Sequence, residues 1–129
     1  MENSVFGDVI YAYSRAQAIE DGVLVDVSET AREAGFKFPV AVTRTLWNGY
    51  ITPLEESRKW GQSESGRLWD VVYMLMQETR RMKKPTDTLY VQVYFIMKEK
   101  QKRLVTLKSI CGPGDDGEPV ITIMLPEED

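Results

Sequence analysis

A long helix pattern that is apolar almost all round runs into three β-rich segments, and that order restricts the fold more than any other feature. Across residues 67–82, Leu68, Trp69, Val71, Val72, Tyr73, Met74, Leu75 and Met76 leave a narrow polar strip at Asp70, Gln77, Glu78 and Arg81. A helix with so little polar surface has to be buried against something larger. Residues 89–97, 104–111 and 120–125 are rich in tyrosine and β-branched side chains, with turn segments at 98–103 and 112–119. They read as an antiparallel meander. Helices first and strands last predict an α+β fold, with N-terminal helices packed on one face of a C-terminal three- or four-stranded, mainly antiparallel sheet.

The N-terminal half supplies the remaining helices. Residues 8–21 follow helical spacing, with Asp8 as cap and Gly22 as stop. Val9, Ala12, Tyr13, Ala16 and Ile19 face the core on this reading, and Tyr11, Ser14, Arg15 and Ala18 face outward. Residues 23–27 read as a short strand or buried extended segment, and residues 28–35 as a two-turn helix capped by Ser28 and ended by Gly35. Residues 39–47 fit both periods. Pro39 at a first helical position, followed by apolar residues at helical spacing, favours a helix there. Thr52-Pro53-Leu54-Glu55 opens another, short helix toward Trp60. At 129 residues the chain reads as a single domain, residues 1–129.

The residue inventory excludes much familiar chemistry. There is no histidine and one cysteine, which removes serine-histidine and cysteine-histidine hydrolases, metalloprotease helices and zinc sites built from Cys and His. Cys111 ends an apolar run and has no histidine to activate it, so it reads as a small core residue. No stretch approaches the roughly 18 apolar residues of a membrane span, and Met1-Glu2-Asn3-Ser4 lacks the regions of a signal peptide. A cytoplasmic location is therefore expected, with no membrane contact.

Charge is unevenly distributed. Residues 1–66 carry a net −4, residues 67–111 a net +6 and residues 112–129 a net −6. The basic clusters Arg80 to Lys84 and Lys98 to Arg103 lie at opposite ends of the first meander strand, so they form two patches rather than one groove. Nucleic acid is accordingly not the expected partner. The acidic turn Gly114 to Glu118 returns toward Arg80 to Lys84. Asp115, Asp116 and Glu118 are the weak metal candidates, although their spacing departs from a calcium loop and suits an ordinary turn. No cofactor is expected, since Gly112-Pro113-Gly114 enters an acidic turn that would repel phosphate. Asp70 is placed to pair with Arg67 at i,i+3 spacing. The preferred ligand or partner site is the set Tyr11, Arg15, Arg32 and Arg44, whose arginines would grip an anion bidentately if they converged and would otherwise pair with Glu20, Glu29 and Glu33.

Four segments carry a resemblance: Tyr13 to Val27, Glu33 to Val40, Glu64 to Val71 and Gly112 to Pro126. They look like a small domain-of-unknown-function family of short bacterial proteins found on plasmids, phages and integrated elements. The resemblance brings no catalytic or binding residue to carry over. It implies a mobile-element setting, in which small acidic proteins act by binding and blocking host machinery. The leading expectation is a non-enzymatic binding or inhibitor protein, with counter-defence as its setting and a host protein or small anionic ligand as its partner. The alternative is a small carboxylate enzyme using Mg²⁺ or Mn²⁺ at Asp115, Asp116 and Glu118, with a weak nucleic-acid binder third. Oligomeric state is not legible in the sequence.

Overall fold

In the computed structural model, which describes residues 13–59, 61–97 and 101–128, a five-stranded mixed sheet holds together segments from the whole chain. The elements run α1 (Arg15–Glu20), β1 (Leu24–Asp26), α2 (Ser28–Ala34), β2 (Val40–Thr43), α3 (Arg44–Leu46) continued by a π turn (Trp47–Ile51), α4 (Glu55–Arg58), α5 (Glu64–Arg80), β3 (Thr88–Ile96), β4 (Lys102–Pro113) and β5 (Pro119–Met124). The strand order is β1-β2-β5-β4-β3. Only β2 and β5 are parallel; the other three pairings are antiparallel.

The α+β class and the β3-β4-β5 meander match expectation, while the sheet is larger and less uniform than expected. Its further strands come from the N-terminal half: β1, which falls in the short strand or extended segment expected over residues 23–27, and β2. Residues 40–43 form β2, not the start of a helix; Val40, Ala41 and Val42 are wholly buried. Burial on both faces overrides a pattern that fits either period, and a strand flanked by β1 and β5 is the form that satisfies its backbone. Helix begins only at Arg44, where the Thr43 hydroxyl accepts from the Leu46 N–H at 3.2 Å.

Register divides the sheet into two faces. Val40, Val42, Ile121, Ile123, Leu107, Val105, Val91 and Val93 share the inner face, where α5 places Leu68, Val71, Val72 and Leu75 and α2 places Ala31. This is the main core. Ala41, Thr122 and Ile110 share the outer face, and α1 lies there. The expectation that the helices cover one face is therefore corrected: α2 and α5 take the inner face and α1 the outer.

The facing of α1 is also reversed. Ala18 is buried, whereas Ala16 and Tyr13 are exposed. Arg15 turns inward because its guanidinium donates to Thr122 Oγ1 and to the Ile121 carbonyl, both at 2.8 Å. A long stem with a charged fork can reach backbone across a small neighbour such as Ala18, which helical periodicity does not reveal. The described helix is capped by Ser14; Asp8, Val9, Tyr11 and Ala12 lie outside the described residues. Other caps shift similarly. Ser63 caps α5, which begins at Glu64, three residues before the expected start. Ser28 is the first residue of α2, its hydroxyl donating to Asp26 Oδ1 at 2.6 Å. Thr52 does not cap α4 but donates to Glu64 Oε2 at 3.0 Å. Trp60 lies outside the described residues.

Candidate functional site

A concave surface lies on each side of the sheet. The outer one, a cleft of about 830 Å³, runs between α1 and the outer faces of β4 and β5. Arg15 and Arg44 both line it. Arg32 does not; it stands exposed on α2, which packs on the inner side, and Tyr11 is outside the described residues. The arginines expected as one site are thus brought together only in part.

The chemistry of this cleft is largely committed to holding the fold. Besides the two bonds already described for Arg15, Arg44 Nε donates to the Gly22 carbonyl at 2.8 Å. Burial holds the Arg15 pKa below its ordinary value, with Asp26, Asp115 and Glu118 opposing that shift. The three carboxylates of the lining are occupied as well. Asp21 accepts from the Tyr13 hydroxyl at 2.6 Å and from Gln17 Nε2 at 2.9 Å. Glu128 Oε2 accepts from Thr43 Oγ1 and the Leu125 N–H. Asp115 accepts from the Arg15 and Ala16 N–H groups at 2.7 and 3.0 Å. The lining thus sets three carboxylates against two guanidinium groups.

Those bonds also settle where the acidic turn goes. Asp115 closes the first turn of α1, and the Ala16 N–H, followed by that of Arg15, holds its pKa below the usual carboxylate range. Asp116 is exposed, and its N–H donates to Glu118 Oε1. Among the described residues no three Cys, Asp or Glu side chains are arranged to hold a metal. No ion pair joins this turn to the Arg80–Lys84 segment among the described residues either. Lys98 and Lys100 lie outside them; Lys102 and Arg103 pair with Ile96 and Phe95, at the far end of β3 from Arg80.

Arg67 is not the partner of Asp70. It is buried, and its guanidinium donates to Gln62 Oε1, the Tyr50 carbonyl and the Ile96 carbonyl while lying 5.6 Å from the Phe95 ring centroid. Burial lowers its pKa, and partial desolvation raises that of the exposed Asp70.

The inner concavity has the opposite character. Because α5 stops at Arg80, the inner-face residues Leu89, Ser109, Cys111 and Ile121 extend beyond its end and form the floor of a cavity of about 380 Å³. The loop after α2 supplies Phe36 and Phe38, and α5 with the segment after it supplies Met76, Thr79 and Met82. Its rim carries Lys37 and Asp87, and the Arg80 guanidinium lies against Gly35, within 3.3 Å of where a β-carbon would stand. Ser109, a buried hydroxyl, and Thr79, which donates to the Leu75 carbonyl, are the polar groups inside. An apolar cavity of this size with a few polar groups and a charged rim is the usual form of a small-molecule site. Sequence reasoning missed it because Phe36, Met76, Leu89 and Cys111 carry the same signal as core. The visible hint is Lys37 set between Phe36 and Phe38.

A profile of a family of unknown function, DUF6573, matches residues 1–129. The chain belongs to this family. The match spans both concave surfaces, so the cleft and the cavity both fall within the DUF6573 region. No curated protein and no solved structure matches the chain. No helix among the described residues is long and apolar enough to cross a membrane.

Proposed function

We propose that this DUF6573 chain is a non-enzymatic binding protein whose ligand is a small amphipathic anion held in the inner cavity. The observation that carries this reading is the pairing of an apolar interior with Lys37 on the lining and with the Arg80 guanidinium beside Gly35, itself a lining residue. A hydrocarbon or aromatic body would replace water against Phe36, Met76, Leu89 and Ile121, and a carboxylate or sulfonate head would meet the two cations. Asp87 is the one acidic group on the lining, and it disfavours a second negative charge on the ligand. The outer cleft, with its carboxylates, is the poorer place for such a molecule.

The resemblance to short proteins of plasmids, phages and integrated elements gives this binding role its setting: a cytoplasmic accessory or counter-defence protein. A host protein as partner is the second reading. It is favoured by the open outer face of β3 and β4, where Tyr90, Tyr94 and Leu104 are 57%, 61% and 44% exposed.

The test is a titration with alkanoates of increasing length, read by displacement of 1-anilinonaphthalene-8-sulfonate and by melting temperature. Decanoate should bind saturably at one site and raise the melting temperature in proportion to ln(1 + [L]/Kd). Decanol should bind more weakly, and the combined Lys37→Glu, Arg80→Glu variant should lose the preference for the acid. Equal binding of acid and alcohol, or no saturable binding, would sink the proposal. A pull-down from bacterial lysate that retains one defined protein, lost in Tyr94→Glu, would favour the second reading.

A further inference from the structure

The edge of the sheet formed by β3 has the features of an interface. It is nine residues long, from Thr88 to Ile96, and contains no charged residue and no proline. Its nine consecutive pairings with β4 run without a bulge. Natural edge strands are protected from pairing with other chains by lysines, prolines, bulges or shortness. Here none of these devices is present. The opposite edge, β1, has only three residues. Among the described residues no strand lies beyond β3, so about 30 Å of strand edge stands open.

The sequence of this edge is self-complementary. Residues 90–94 read Tyr-Val-Gln-Val-Tyr, a palindrome about Gln92, with Leu89 and Phe95 as the next pair outward. Antiparallel pairing of two β3 strands about a two-fold axis at Gln92 sets Gln against Gln, Val91 against Val93, Tyr90 against Tyr94 and Leu89 against Phe95. Aromatic and β-branched residues directly opposite each other are the favoured cross-strand partners. The two sides of the edge are suited to the same occupant. On the outer side Tyr90 and Tyr94 are exposed. On the inner side Met74, 37% exposed, shares with Tyr90, Val91 and Gln92 a cleft of about 430 Å³ that wraps round the strand. Glu78 in that cleft is already paired with Arg81 at 3.1 Å.

We infer that a second copy of this chain occupies the β3 edge, joining two five-stranded sheets into one of ten strands through a two-fold axis at Gln92. A two-fold interface sets residue i of one copy against residue j of the other and j against i, so this palindrome places valine on valine and tyrosine on tyrosine about Gln92, with no charge left unpaired. The inference does not depend on the inner cavity, since that cavity is built from other residues except Leu89, whose side chain faces the core side of the sheet.

The test is the mass in solution together with the position of the axis. Multi-angle light scattering of the full chain should give twice the 14.8 kDa chain mass at micromolar concentration. Gln92→Lys, which sets two like charges opposite each other on the axis, should weaken the dimer roughly tenfold or more with an unchanged circular dichroism spectrum. If that variant fails to fold, Gln92→Cys in a Cys111→Ser background should cross-link to a dimer under mild oxidation, while Tyr13→Cys in the same background should not. A monomer at all concentrations up to hundreds of micromolar would overturn the inference. So would a dimer as tight in Gln92→Lys as in the parent, or cross-linking at position 13 but not at 92.

Discussion

The Asp115 carboxylate binds the backbone N–H of Arg15 at 2.7 Å, closing the first turn of α1 from a position 100 residues further along the chain. The same carboxylate takes the Ala16 N–H, while the Arg15 side chain returns to β5 through Thr122 and Ile121. The N-terminal helix and the β4–β5 turn are thus tied reciprocally, each supplying what the other lacks.

Replacing Asp115 with Asn should lower the melting temperature by a few degrees at neutral pH, because two N–H groups lose a charged acceptor. The folded-state pKa is depressed, so the stabilisation is present above the unfolded carboxylate value of about 3.9 and is lost as pH falls through the folded value. The gap between parent and variant should therefore be full at pH 6 and close on acidification below about pH 4. A gap independent of pH would contradict the assignment.

Arg67 holds three segments at once through uncharged partners: the Gln62 side chain, the Tyr50 carbonyl at the π turn and the Ile96 carbonyl at the end of β3. Arg67→Ala should cost about 3 kcal/mol in urea unfolding, since it leaves a cavity and strands two half-buried carbonyl groups. Arg67→Lys should recover only part of that, because an ammonium cannot reproduce the fork or lie flat on Phe95.

Asp70 has the opposite pH behaviour. Although Asp70 is exposed, partial desolvation beside α5's apolar neighbours raises its folded pKa. Its charged form is therefore slightly disfavoured in the native state, and stability falls a little as pH rises from the unfolded toward the folded value. Asp70→Asn should be slightly more stable than the parent at pH 7 and indistinguishable from it at about pH 3, below the ordinary carboxylate value. Paired thermal melts at the two pH values check this.

Gly35 closes α2 with φ of 113°, a region that side-chain-bearing residues rarely adopt. Gly35→Ala should cost about 1 to 2 kcal/mol, most of it from the backbone. The nearest neighbour, the Arg80 guanidinium, is flexible and can move away. The double variant Gly35→Ala, Arg80→Ala should therefore be no more stable than the sum of the single changes implies. Recovery of stability in the double variant would shift the cause to the steric contact.

The elements legible in the sequence are those whose signal is local. The apolar run of α5, the three β-rich segments of the meander and the glycine that ends α2 each announce themselves within about a dozen residues, because helix and strand periodicity and turn chemistry act over that range. Long-range partners decided the rest. Residues 40–43 are a strand because β5 lies parallel beside them, more than seventy-five residues away in register. Arg15 faces inward because Thr122 is there to receive it, and Asp115 caps a helix a hundred residues away because α1 begins beside it. The cavity exists because α5 ends short of the sheet it covers. The absence of histidine and the single cysteine were decided by the sequence alone and exclude chemistry whatever the fold. Which charges are spent on structure was decided only when the sheet brought the N-terminal helix against the C-terminal strands.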